Sequence, residues 1–343
     1  MKVHSDIDGL SFAAMKTLMR LRAEQYELTV VEDSAQSLMI ETEFGQFGVT
    51  DRTPQGLRLL INAGTPDNLH VIRDALVGQI ADGVPDIAET ITWSDTLEQD
   101  PYPPNLQFTH VVARARLCSD FQRVTLRLDR PEAFAGDDAI HLRILLPAPD
   151  NIAPDYPTLA PNGATKWPKG TKALHRPVYT ARSLRGDLVE MDVFLHPGGR
   201  ASDWAQNVDP GARLAIIGPG GGGVVDRGPV VLAGDETAYP AIARIMESLP
   251  HGTDGRAILL SHTGNRDYPF PETRGLAMEW TDKAGFVAAT RAALAASPDC
   301  HAWIAAERGQ TGKITGSEEL KSVPKSQRYV AGYWTRFDFE LPS

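Results

Sequence analysis

The stretch HRPVYTAR, residues 175–182, sets one aromatic ring, Tyr179, between two arginines, Arg176 and Arg182, and follows it with the hydroxyl of Thr180. An aromatic ring stacks on a planar heterocycle, a neighbouring hydroxyl bonds a ring nitrogen, and guanidinium groups neutralise phosphate through paired hydrogen bonds. The plain alternative is a surface strand whose Arg and Tyr merely alternate with core residues. A second stretch favours binding. In FLHPGGRASDWA, residues 194–205, a strand ends in glycines and a helix opens through Ala201 and Ser202. Free backbone N–H groups and the positive end of a helix then face whatever lies there, and a phosphate suits that position, as does a plain serine cap. A third stretch, AGDETAYPAI, residues 233–242, lies between an apolar strand and a helix that carries Pro240 in its first turn. Open α/β sheets hold ligands at such carboxyl ends of strands. GPGGGG, residues 218–223, lacks the Lys-Ser/Thr of a phosphate loop and reads as a flexible turn between domains. The histidines, including His110, His141 and His175, show no H-x-x-H or H-E-x-x-H spacing, and G-x-S-x-G is absent. No metal site and no catalytic triad is expected.

These groups need elements to hold them. A chain of 343 residues is too long for one ordinary core. Residues 10–27 read as an amphipathic helix, LTVVED, SLMIETEFGQFGVTDR and GLRLLINA as three strands, and NLHVIRDALVGQIADG as a second helix. The Pro-rich, acidic SDTLEQDPYPPN reads as a linker with few contacts across it. From 107 to 217 short strands follow one another, as in a barrel or sandwich, with ASDWAQNV as a helix. After GPGGGGVVDRG, strands such as PVVLAG, AILLSH, HAWIAAE and RYVAGYW alternate with helices, the pattern of a parallel sheet. The expected organisation is a small α+β domain at 1–97, an antiparallel β-barrel domain at 98–218 and an α/β domain at 219–343. Such a barrel and α/β pair with an R-x-x-Y-T element resembles the architecture of flavin-dependent reductases, a resemblance that implies FAD on the barrel and NADPH or NADH on the α/β domain.

Composition narrows the partners. A net charge of −10 argues against broad nucleic-acid binding, and no run approaches the roughly 18 apolar residues of a membrane span. The N-terminus lacks the apolar stretch of a secretory signal, and two cysteines without C-x-x-C spacing suit a reducing compartment, so a cytoplasmic location without stable membrane insertion is expected.

HRPVYTAR, VFLHPGGRASDWA, LAGDETAYPAIARI, AWIAAE and AGYWTR occur in the order seen in the siderophore-interacting protein family of FAD-containing ferric-siderophore reductases, which residues 107–336 resemble. Residues 1–95 resemble the small DUF2218 domain sometimes found with it. The resemblance implies flavin contacts from Arg176, Pro177, Val178, Tyr179 and Thr180. It implies a pyrophosphate turn from His196, Gly199, Arg200, Ala201 and Ser202, and a loop facing flavin and nicotinamide from Asp235, Glu236, Thr237 and Ala238. Glu307 and Trp334 complete the cofactor set. Two departures stand out: Ala306 replaces the glycine of a W-A-G-E motif, which narrows the nicotinamide approach, and RGQTGKITGSEELKS reads as loop plus a short helix where the family has a long one. The substrate implied is a ferric siderophore, commonly a bulky anion, met by Arg143 and Arg336 with a rim of Lys166, Lys169 and Lys172. Alternatives are a flavin oxidoreductase with another acceptor, an electron carrier partnered by ferredoxin, and a siderophore-binding protein without turnover. For the donor, Arg266 beside His262 and Asn265 favours the 2′-phosphate of NADPH, while Asp267 either orients Arg266 or bonds a ribose in favour of NADH.

Overall fold

A computed structural model describes residues 1–26, 28–95, 101–151, 153–272 and 275–335. The chain divides into two compact units, one of residues 1–106 with 147–174, the other of 107–146 with 175–343.

In the first unit a five-stranded antiparallel sheet runs in the order Lys2–Asp8, Gly56–Ala63, Gly45–Arg52, Ser37–Thr42, Thr29–Asp33. Alternate residues of Gly56–Ala63 are buried, including Leu57, Leu59 and Ile61, as a sheet with one covered face requires. The helices Phe12–Gln25 and Pro66–Gly83 supply Met15, Met19, Leu69, Ile72 and Leu76 to the same core. Each starts on a hydroxyl cap, Ser11 accepting from the Ala14 N–H and Thr65 from the Asn68 N–H. Residues 37–52 form a hairpin instead of one strand, and Lys2–Asp8, which charge hides from a hydrophobicity reading, pairs along its whole length with Gly56–Ala63. Residues 147–174 join this unit through long-range bonds: His70 with Thr165, Asp74 accepting from the Thr165 N–H, and the Trp93 indole donating to the Asn162 carbonyl. Residues 96–100 of the Pro-rich segment lie outside the described residues; the first unit runs on to residue 106 and takes in 147–174, which the sequence placed with the barrel.

The second unit holds two sheets. The antiparallel one has seven strands, in the order Val178–Thr180, His141–Leu145, Arg213–Gly220, Leu106–Cys118, Phe121–Leu128, Leu188–Phe194, Ser183–Arg185. The parallel one runs Ala277–Thr281, Gly255–Leu260, Val230–Gly234, His301–Glu307, Arg328–Trp334. Chain order reverses between Val230–Gly234 and His301–Glu307, which places a topological switch point at Asp235 and Glu307. Ala277–Thr281 escaped the sequence reading because its residues are half-exposed and polar at alternate positions. The two sheets are fastened together by buried polar contacts. Tyr268 donates to Asp192 over 2.8 Å, Asp192 also takes two bonds from Arg123, and Arg182 makes a two-pronged bridge to Glu247 at 2.7 Å.

Candidate functional site

The edge strand Val178–Thr180 pairs with His141–Leu145 in the register Val178↔Arg143, Tyr179↔Leu142, Thr180↔His141. Directly opposed residues share a face, so Val178, Thr180, His141 and Arg143 lie on one side and Tyr179 with Leu142 on the other. Val178 is 52% exposed, unusual for a large aliphatic residue on a strand, whereas Thr180 is buried. Tyr179 packs against the barrel core and stays partly accessible, and burial pushes its hydroxyl well above the usual phenol range. Arg143 donates to the Arg176 carbonyl over 3.0 Å. Burial, and then the nearby Arg176 guanidinium, lower its affinity for its proton. Two guanidinium groups so placed favour an anion between them. Pro177 contributes a carbonyl to the Ile144 N–H. Arg182, the second arginine of HRPVYTAR, is buried in its bridge to Glu247 and belongs to the framework.

The turn after Leu188–Phe194 is built around Ser202. Its hydroxyl accepts from the His196 N–H at 3.1 Å and bonds the Phe194 carbonyl at 3.3 Å, which fixes the strand end to the helix Arg200–Asn207. Ser202 is therefore a brace inside the first turn, and Gly199 occupies the cap position. The first intrahelical bond is that of Asp203 to Gly199, leaving the Arg200, Ala201 and Ser202 N–H groups ahead of it as the helix's donor end. Arg200 lies beside them and donates to the Leu146 carbonyl at 3.1 Å, while the His196 ring is exposed.

At the switch point Asp235 is fully buried, and both carboxylate oxygens are spent on protein donors. One accepts from the Thr237 N–H (3.0 Å) and hydroxyl (2.5 Å); the other accepts from the Glu307 N–H (2.9 Å) and the Trp334 indole (2.7 Å). Burial raises its pKa, and the bonds from Thr237 and Trp334 work against that rise. Glu236, also buried, accepts from the His262 and Thr263 N–H groups and pairs with the His262 ring at 2.7 Å. Ala238 closes the turn beneath them, fully buried. These acids shape the sheet's edge and do not project freely from it. A bulge between Ala306 and Glu307, opposite Gly332 and Trp334, lets the last strand send Tyr333 and Trp334 to different partners.

Glu307 caps the helix Arg308–Thr315, its carboxylate accepting from the Gln310 N–H at 3.1 Å. That helix and Glu318–Ser322 replace the expected loop. Ile314 and Leu320 are buried beneath them, and this packing with two side-chain caps outweighs the glycines. The Ala306 methyl is fully buried in the same core cluster, so it narrows no approach from solvent. GPGGGG is likewise not a free turn. Its strand continues to Gly220, and a Cβ on Gly222 or Gly223 would run into the Tyr329 ring or the Asp137 carbonyl.

His141 joins the two sheets. Opposed to Thr180 in the barrel, it sits 2.6 Å from the Tyr333 hydroxyl, next in sequence to Trp334. Burial, with Arg244 adding to it, lowers its pKa from 6.5 to about 4. Since the unfolded chain takes up this proton first, stability is intact above about pH 6.5 and falls as the pH drops from there toward 4. The expected loss at pH 4.5 is about 2–3 kcal/mol. Thermal unfolding at pH 7.5 and 4.5 should show a much smaller acid loss in His141→Gln; an unchanged difference would rule this source out. Neither His141 nor Tyr333 was found from the sequence, although His141 shares strand parity with Arg143.

Of the remaining candidates, Arg336 lies outside the described residues. Lys166 and Lys169 are exposed and belong to the first unit, and Lys172 pairs with Asp155 at 2.7 Å. Asp267 accepts from the Ser119 N–H and hydroxyl, so it is engaged away from Arg266, whose guanidinium lies 5.6 Å over the Trp280 ring.

Residues 110–223 match the siderophore-interacting FAD-binding domain, and residues 228–337 match the siderophore-interacting protein model. The NADPH-dependent ferric-chelate reductase of Escherichia coli is 30% identical over 234 residues, which cover 64% of this chain and 89% of that protein. The chain belongs to the siderophore-interacting protein family. Membership accounts for the barrel with its FAD-binding domain followed by the parallel sheet. Ferric vibriobactin reductase ViuB of Vibrio cholerae is 30% identical over 171 residues, 46% of this chain and 58% of that protein. The siderophore-interacting protein SipS of Aeromonas hydrophila shares the family fold, with a TM-score of 0.53 at 22% identity over 67% of this chain and 92% of that one. Among the described residues no helix is long and apolar enough to cross a membrane.

Proposed function

We propose that the chain is an FAD-dependent ferric-siderophore reductase that takes electrons from a nicotinamide dinucleotide and delivers them to siderophore-bound Fe(III), releasing Fe(II). One observation carries this reading. Thr180 is opposed to His141, His141 touches Tyr333, and the adjoining Trp334 donates to Asp235, so the R-x-x-Y-T strand and the switch point form one continuous wall. When bound, FAD supplies the change from two-electron hydride chemistry to one-electron transfer.

The residues fit that group. Arg176, Arg200 and the donor end at Ala201 and Ser202 hold the pyrophosphate, with His196 and Gly199 shaping the turn. Pro177, Val178, Tyr179 and Thr180 border the flavin ring, Val178 and Thr180 from one side of the edge strand and Tyr179 from the other. Thr237, Ala238, Glu307 and Trp334 border the nicotinamide side, kept in place by Asp235 and Glu236. Arg143, carrying a charge that another guanidinium opposes, meets the anionic siderophore. No general base is required, because reduction itself loosens the metal: Fe(II) is held less tightly than Fe(III) by hard oxygen ligands. The location proposed is the cytoplasm, where free thiols such as Cys118 and buried Cys300 persist. Anaerobic reduction by NADPH followed by stopped-flow reoxidation tests the reading. A ferric catecholate should reoxidise the flavin faster than a quinone or ferredoxin does, with Fe(II) captured by a ferrous chelator; a preference for ferredoxin would overturn the assignment of acceptor.

NADPH is the proposed donor because Asp267 is held by Ser119, leaving Arg266 for a 2′-phosphate. Arg266→Ala should lower kcat/KM for NADPH about tenfold, the loss of about 1.4 kcal/mol in a charge-assisted contact, and leave NADH unchanged. Equal loss with both cofactors in steady-state assays would refute it.

A further inference from the structure

The end of the parallel sheet opposite the switch point holds a cleft that the reductase reading does not use. Its volume is about 230 Å³, and its walls come from the strand starts at His301 and Arg328 and from residues 223–227, which lead into Val230–Gly234. One strand length, roughly 20 Å, separates it from Glu307. The walls are firmly held. Tyr329 stacks on Trp303 with ring planes 20° apart, Tyr333 stands nearly perpendicular to Trp303, and the Val224 N–H donates to the Asp137 carbonyl at 2.8 Å. Two polar atoms of the lining residues are buried with no hydrogen-bond partner among the described residues: the indole N–H of Trp303, a residue only 1% exposed, and the side-chain oxygen of Gln327. Buried donors and acceptors are nearly always paired, so an unmatched donor and acceptor in one cleft mark a place for a guest. The charged groups, by contrast, are occupied. Asp226 pairs with Arg227 at 3.2 Å, and Arg328 donates to the Val323 carbonyl at 2.6 Å and the Lys321 carbonyl at 3.0 Å. Burial, and then Arg227, hold His301 below its ordinary range, so its ring is neutral at pH 7.

We propose that this cleft binds a small neutral cyclic amide, its carbonyl accepting from the Trp303 indole N–H and its adjoining ring N–H donating to the Gln327 side-chain oxygen. One donor and one acceptor in one cleft are the complement of a cis-amide edge, C=O next to N–H, which oxo-pyrimidines and oxo-purines carry. Charges already matched within the protein favour a neutral guest over an ion, since an ion would have to give up its water without gaining a counter-charge. The volume lies below the roughly 300–1,000 Å³ of pockets for drug-sized ligands, so it admits one base-sized ring system and excludes a dinucleotide. Trp303 is held by the rings of Tyr329 and Tyr333, and a donor fixed in advance loses little freedom on binding. The chemistry is shared by two sources, a one-ring pyrimidine and a two-ring purine. The proposal does not depend on the reductase reading, since it concerns binding alone.

The test is an NMR titration of the full chain, saturated with FAD so that the flavin site is filled and carrying ¹⁵N in its tryptophans, with uracil and with hypoxanthine. The Trp303 indole signal is the one missing from Trp303→Phe. A saturable downfield shift of that indole proton is expected, and whichever base saturates at the lower concentration identifies the source. Two control ligands use the parent protein alone: 1,3-dimethyluracil, which keeps both carbonyls and has no N–H, and benzoate, an anion, should each bind at least tenfold more weakly. Gln327→Met, which keeps the side chain's length and removes its acceptor, should weaken binding of the better base about tenfold, with thermal unfolding as the control for folding. A Trp303 signal that neither base moves would show that water alone serves the indole and would overturn the proposal. Dimethyluracil or benzoate binding as tightly as the base, or a folded Gln327→Met that binds like the parent, would overturn it too.

Discussion

Asp235→Ala is expected to lower the melting temperature of the FAD-saturated protein by about 10 °C and to loosen the last strand. The carboxylate accepts four hydrogen bonds, from Thr237 twice, from the Glu307 N–H and from the Trp334 indole, and it is wholly buried. Those donors sit on or beside the ends of three strands, Val230–Gly234, His301–Glu307 and Arg328–Trp334. An alanine leaves several buried donors without an acceptor, each costing about 1–3 kcal/mol where water cannot replace the bond. Partial relaxation brings the total to about 3–5 kcal/mol, the range seen when a buried charged network loses one member. Asp235→Asn separates charge from shape. Its amide group must point donors at either the Thr237 pair or the Glu307 and Trp334 pair, so it should be destabilised as well, by less than alanine. Unfolding temperatures within about 2 °C of the parent in both variants would show that water fills the place of the carboxylate.

The same residue marks the limit of what could be read from the chain. Runs such as Val230–Gly234 and Gly255–Leu260 are apolar because both faces of a parallel sheet are covered, and that pattern alone locates the strands. The places of Asp235 and Glu236, at the carboxyl end of a strand, followed from it. Their roles did not, because a carboxylate's role depends on which donors meet it, and two of the four donor groups at Asp235 lie 72 and 99 residues away. Arg182 is the converse case. Beside a flavin-type motif it looks like a phosphate ligand, yet Glu247, 65 residues on, has claimed it. Residues 147–174 were illegible for a related reason: rich in proline and glycine, they show no period of 2 or 3.6, and they are placed by contacts to His70, Asp74 and Trp93 that no local pattern announces. The helix Arg308–Thr315 was missed because three glycines were weighed against propensity, without the cap from Glu307 or the burial of Ile314.

Gly199→Val is expected to reduce FAD retention by about tenfold to a hundredfold while leaving the fold in place. The backbone of Gly199 is ordinary, with φ near −79°, so no glycine-only conformation is at stake. Space is the constraint: a Cβ there would lie 2.5 and 2.6 Å from two atoms of the His196 ring and 2.7 Å from the Ser202 hydroxyl. The exposed His196 ring can swing aside. Ser202 cannot, since it is buried and its hydroxyl joins the His196 N–H to the Phe194 carbonyl. Valine must therefore push the first turn of Arg200–Asn207 away from the strand end. The N–H groups of Arg200, Ala201 and Ser202 move with it, and a phosphate held by several such donors loses about 1.4–2.8 kcal/mol when their convergence is spoiled. Most of the barrel core lies elsewhere, so thermal stability without FAD should change far less than the affinity does. Flavin titration of the apoprotein, set beside its unfolding temperature, separates the two effects: equal FAD affinity in parent and variant would remove this turn from the cofactor site, and a collapse of stability without flavin would make it a structural brace alone.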